Sequence, residues 1–208
     1  MVHDSDIYDD FREFETSRWD IRTADLTAFQ SVLASASNEM PLQLCLQQHP
    51  QLLCAYLRSG HGEWVIPQKR LGAEYVPDFV IGCGNSAGIL WDFIELESPR
   101  ASLVLANGQA SRELRTAIHQ VERWRAWLQD NLDYARRGYS QHGLGLREVS
   151  PSAFAKVVIG RRSQVSHEFN RLRQTYRDSH HIDVMTYDRL VEDFERMSGI
   201  IRGCRNDE

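Results

Sequence analysis

Three carboxylates interrupt two apolar stretches of the chain: Asp78 in VPDFVI (76–81), and Glu95 and Glu97 in FIELE (93–97). Side chains alternate along a strand, so Glu95 and Glu97 share one face while Ile94 and Leu96 take the other. Pairing of the two stretches through the glycine-rich GCGNSAG between them (82–88) sets Asp78 beside the glutamates. Three converging carboxylates repel one another unless a divalent cation neutralises them, and hard oxygen donors suit magnesium or manganese. Such an ion can hold a phosphate oxygen, lower the pKa of a bound water and stabilise the charge that grows during displacement at phosphorus. Phosphodiester hydrolysis is the reaction this implies. The same period-two acids also fit the solvated face of an exposed hairpin, and the pattern alone leaves both readings open.

The surrounding segments predict what positions these acids. From Thr23, the spacing of Leu26, Phe29, Val32 and Leu33 predicts a helix with Asp25 as its cap, broken at 35–38. A second helical stretch runs through Leu42, Leu44 and Leu46, is interrupted at Pro50, and resumes through Leu52, Leu53, Tyr56 and Leu57 to a turn at 59–62. Extended segments are expected at 63–68, 75–81 and 88–96 as a meander. GCGNSAG lacks the GKS/T ending of a phosphate loop and runs into the strand-like ILWDFIEL, so it reads as a hairpin turn. The longest helix is expected over 109–136, with an apolar stripe through Leu114, Ile118, Val121, Trp124 and Leu128. A strand at 155–160, a helix at 166–179, a strand at 182–186 and a helix at 187–197 complete the order. That order predicts one mixed α/β domain over residues 25–208, preceded by an acidic and aromatic arm of residues 1–24.

At 208 residues, 42% hydrophobic and 25% charged, the chain can bury a core without metal or disulfide staples. Cys45, Cys54, Cys83 and Cys204 form no CxxC pair, which fits reduced thiols. No apolar run reaches membrane-spanning length and the first residues are acidic, so the expected location is cytoplasmic, with no membrane partner. Residues 1–100 carry a net −8 and residues 101–208 a net +3, which together give the formal −5. Lys69 and Lys156 are the only lysines among 24 basic residues, and the arginines carry the planar fork that suits phosphate. Arg161 and Arg162 just after a strand, Arg123 on the long helix and Lys69 are the candidate nucleic-acid contacts, although helix arginines also make solvated faces with i,i+4 partners. His180 and His181 are adjacent, do not share a face and complete no metal site.

Pro77-Asp78, then Glu95-x-Glu97, then a long helix bearing Gln120 resembles, in content and order, the PD-(D/E)XK nuclease superfamily. More narrowly, residues 39–195 resemble the nuclease domain of the Shedu anti-phage defence family. The stretches NEMPLQLCLQQHPQLL, VPDFVIG, FIELESPR, ASRELRTAIHQVERWRAWL, KVVIGRR and IDVMTYDRLVEDF recur in the expected sequence. The resemblance implies a restriction-endonuclease-like mixed sheet flanked by helices, a DNA endonuclease activity in phage defence, and a homo-oligomer. It also implies that Asp78 and Glu95 are the principal metal ligands, that Glu39 projects toward the metal from the early helix, and that Gln120 orients water or phosphate. The chain departs from the superfamily at Glu97, where a lysine is usual. A carboxylate there implies an additional metal ligand or a general base, with Lys69 as a candidate for a migrated ammonium group. The alternative is a nuclease fold that has lost hydrolysis and binds DNA or protein.

Overall fold

The computed structural model describes residues 10–56, 62–86 and 88–206. Its helices are α1 (Thr23–Ser35), α2 (Met40–Gln48), α3 (Arg112–Asp130), α4 (Leu132–Arg136), α5 (His167–His180) and α6 (Tyr187–Asn206). Its sheet contains β1 (Gly62–Pro67), β2 (Phe79–Asn85), β3 (Gly88–Leu96), β4 (Phe154–Val158) and β5 (Ile182–Met185), in that spatial order. The first three strands are antiparallel neighbours, the expected meander, and β4 and β5 add in parallel. Each parallel step needs a crossover, and right-handed crossovers that advance in one direction across a sheet lie on one face. Accordingly Leu114 and Trp124 of α3 and Phe169 of α5 share one core with Trp91, Phe93 and Val157. Phe29, Leu42, Leu46 and Phe194, from α1, α2 and α6, cover the other face against Ile81, Ile94 and Val158. This is the mixed α/β architecture, a mixed sheet flanked by helices, that the order of elements predicts.

Several boundaries differ from the sequence expectation, each for a local reason. β2 starts at Phe79 and takes in Gly82 to Asn85, residues expected in the turn. Gly82 faces Trp91 across the pair, and a Cβ there would stand 2.5 Å from the indole, so glycine is what lets the ring lie over the strand. The hairpin closes with Asn85 opposite Gly88. Gly88 has φ +110°, and the Glu148 carboxylate occupies the space a side chain would need while accepting from the Ile89 N–H at 2.6 Å. The helix expected over 109–136 is two. The Ser111 hydroxyl starts α3 by accepting from the Leu114 N–H, and Asn131, whose side chain donates to the Trp127 carbonyl, divides α3 from α4. The last helix continues past 197 because Ile201 extends the buried stripe of Leu190 and Phe194, which makes α6, at 20 residues, longer than the 19 of α3.

Asp25 serves α1 from inside its first turn, where its carboxylate accepts from the N–H of the N-cap residue Arg22 at 2.8 Å. Of the turn expected at 59–62, only Gly62 lies among the described residues, and it opens β1. The segment from Phe11 to Arg18 lies against the sheet. Phe11 is 2% exposed and meets Trp91 and Tyr139 edge-on, and the Thr16 N–H donates to the Glu63 carbonyl at 3.0 Å.

Candidate active site

β2 and β3 bring the acids to one end of the sheet. The register pairs Phe79 with Ile94, so Asp78, immediately before β2, stands opposite Glu95. Asp78 is fixed twice: its carboxylate accepts from the Leu96 N–H at 2.8 Å and its carbonyl accepts from the Gln68 N–H at 2.9 Å. Glu97 prolongs the β3–β4 pairing by donating its N–H to the Val158 carbonyl at 2.8 Å. Alternation puts Glu95 and Glu97 on the face of Trp91 and Phe93, below α3, and leaves Ile94 and Leu96 to the other core. The exposed-hairpin reading of these acids is thereby excluded, since Glu95 is 6% exposed and Asp78 and Glu97 are half-buried.

The layers on either side complete the cluster. Gln120 of α3 and the Asp78 N–H hydrogen-bond the Glu95 carboxylate. Its remaining oxygen, Oε2, is buried without a hydrogen-bond partner. Glu39, at the N-cap of α2, enters from the opposite layer, and its charge bears on both Asp78 and Glu97. Burial is the first cause that raises all three acids. It pushes Glu95 up to about 9, with Asp78 and Glu97 adding repulsion. Glu97 is pushed up to about 7 by burial, then Glu39 and Asp78. Asp78 rises to about 6 by burial, which the Leu96 N–H opposes and Glu39 reinforces.

Among the described residues, no three carboxylate, imidazole or thiol side chains already close around a single point. Asp78, Glu95 and Glu97 share a face and an end of the sheet. The donor set nonetheless suits a hard cation: every candidate ligand is a carboxylate oxygen, and one of those oxygens is buried with nothing to bind.

Two neighbours of the cluster carry no sequence motif. Tyr187, the buried first residue of α6, donates its hydroxyl to the Glu97 carbonyl at 2.8 Å, and its N–H donates to the Gly160 carbonyl at 3.2 Å. It thus ties the ends of β3 and β4, and burial beside the acids holds its phenol well above the usual range. Glu113 of α3 adds a further negative charge near Glu97. Only the tertiary placement of these residues reveals them.

The basic candidates are not brought to the acids. Lys69 is buried, with its Nζ 2.6 Å from the Tyr139 hydroxyl and above the Phe11 and Tyr139 rings, and burial lowers it to about 8. The expectations of an ammonium group migrated to the acids and of a nucleic-acid contact at Lys69 are corrected accordingly, because the aromatic pocket claims it. Lys156 pairs with Asp92 on the other face of β3. Arg161 and Arg162 follow β4 at the same sheet end as the acids, but Arg161 forks onto Asp188 and Arg162 pairs with Glu192, both on α6. Arg123 is exposed on α3. A cavity of about 550 Å³ lined by Tyr56, Trp91, Asp92, Phe154 and Lys156 includes none of the acids.

Comparison with known proteins identifies the family. The family model described as the Shedu protein SduA, C-terminal, matches residues 36–191, a span that holds Glu39, Asp78, Glu95, Glu97, Gln120 and both arginines after β4. No functionally curated protein matches the chain. With most of its length covered, from the end of α1 into α6, the chain belongs to the family of the Shedu protein SduA C-terminal domain.

Proposed function

We propose that the chain is a divalent-metal-dependent DNA endonuclease of the PD-(D/E)XK type, with a restriction-endonuclease-like fold, acting in defence against phage. The observation that carries this reading is the burial of Glu95 between Asp78 and Glu97 with one carboxylate oxygen unpartnered. Magnesium or manganese held by Asp78, Glu95 and Glu97, with Glu39 at the margin, would supply a Lewis acid for a phosphate oxygen and would acidify a bound water. The protein's own part is orientation and proton transfer. Gln120 fixes one oxygen of Glu95, and the Leu96 N–H fixes Asp78. Tyr187 fixes the backbone of Glu97, whose carboxyl, raised to about 7, is matched to taking a proton from an attacking water near neutral pH. In place of the usual lysine, Glu97 thus serves either as the third metal ligand or, where it does not bind the metal, as the general base. Arg123, exposed on α3, supplies a contact to the DNA backbone, and Arg161 and Arg162 would add to it only where phosphate displaces Asp188 and Glu192. Family membership supports the defence role and self-association.

One observation favours a second reading, a silent nuclease fold that only binds DNA or protein: both lysines of the protein sit away from the acids. Incubation with plasmid and linear DNA in magnesium or manganese separates the two. The enzyme reading expects cleavage by the wild type and its loss in Asp78→Ala with DNA binding retained. Binding without cleavage in either metal would select the silent module.

A further inference from the structure

We propose that Gln43 is a positioning residue of the acidic centre, whose side-chain amide, unpartnered in the metal-free protein, donates to the Glu39 carboxylate once a cation neutralises the acids and holds it toward Asp78 and Glu97. The inference rests on the metal-centre reading above. Gln43 is 4% exposed, and its Nε2 is buried without a hydrogen-bond partner. Buried amides are almost always bonded, and an orphaned donor lowers stability, so one that persists calls for a partner supplied in the working state.

The helix indicates which partner. Gln43 follows Glu39 by four residues, about one turn, and so shares its face of α2. The flank of α2 that meets α1 is a different one. Burial and then the charge of Asp25 raise the Cys45 thiol there, and His49 Nδ1 lies 3.0 Å from Asp25 Oδ1. Gln43 therefore stands on the side of α2 away from Asp25, directly behind Glu39, whose charge reaches Asp78, Glu97 and Tyr187. A glutamine amide at this spacing can span to a carboxylate on the preceding turn. Neutralisation of the acids would draw Glu39 inward and bring its carboxylate under that donor.

The test compares wild type, Gln43→Leu, Glu39→Gln and the double variant by thermal melting with EDTA or manganese, and by plasmid cleavage. Gln43→Leu removes an unpartnered buried donor, so its metal-free midpoint should rise by roughly 2–4 °C. Its manganese-induced rise should shrink, and kcat for cleavage should fall by roughly tenfold with KM for DNA unchanged. If Gln43 acts through Glu39, then in the Glu39→Gln background the Gln43 change should leave the manganese-induced rise as it is. Gln43→Met, of similar length, takes the place of Gln43→Leu if the latter does not fold. A lower metal-free midpoint together with a wild-type response to manganese would overturn the proposal and mark Gln43 as an ordinary core amide. A wild type that neither cleaves nor gains stability from manganese would instead bring down the metal-centre reading, and this inference with it.

Discussion

Glu95 lies under α3 between two other carboxylates, with one oxygen held by Gln120 and the other bonded to nothing. An ionised group in that position is costly unless a positive charge shares the site. The neutral isostere Glu95→Gln should therefore melt higher than wild type in EDTA at about pH 8, by a few degrees for each ~1 kcal/mol recovered. It should also lose the extra stability that manganese gives the wild type. A lower midpoint in EDTA would mean that Glu95 has a structural partner and is not a waiting ligand. Asp78 was legible in the sequence because an acid inside an apolar strand is conspicuous, and so were Glu95 and Glu97, because alternation alone fixes their common face. Tyr187 and Gln43 were not, since a tyrosine opening a helix and a glutamine within one are unremarkable until the fold buries them. The role expected of Lys69 also failed at this scale: the sequence shows its distance along the chain from Tyr75 but not Phe11 and Tyr139, which enclose it.

Among the elements, the β2–β3 hairpin sets the geometry of the centre. Its register places Asp78 opposite Glu95, and that register depends on Gly82 lying beneath the Trp91 ring. Gly82→Ala puts a methyl 2.5 Å from that ring in a packed core, and overpacking of this kind costs about 1–3 kcal/mol. Chemical denaturation should show that loss, and manganese affinity should weaken with it as the strand shifts. Unchanged stability would mean that the indole can move aside without cost. The sequence assigned Gly82 to the turn because glycine clusters signal turns, and the partner that explains it, Trp91, belongs to the next strand. The arginines after β4 teach the same lesson. Their fork geometry suggests phosphate, but Asp188 and Glu192, which lie far along the chain on α6, occupy them. The order and type of the elements were legible throughout because hydrophobic period is local. Where α3 stops and how far α6 runs depended on one asparagine and one distant isoleucine.

Across the whole molecule, the acids make stability depend on pH. A carboxyl raised by folding holds a proton that the unfolded chain has already released, so stability falls as pH rises between its ordinary and folded values. The windows run from 3.8 to about 6 for Asp78, from 4.5 to about 7 for Glu97 and from 4.5 to about 9 for Glu95. Lys69, lowered from 10.5 to about 8, acts in the opposite sense above that value. The melting midpoint in EDTA should therefore decline from about pH 5 to about pH 8, and saturating manganese should flatten the decline by taking over the neutralisation. A profile that is flat in EDTA would contradict the burial of charge described here. The central claim, that Asp78, Glu95 and Glu97 form a cation site, is tested most directly by calorimetric titration of manganese into wild type and Asp78→Asn at pH 7 and 8. The predicted result is binding by the wild type that tightens and releases fewer protons at the higher pH, and is lost in the variant. Equal binding by both proteins, or none by either, would contradict it.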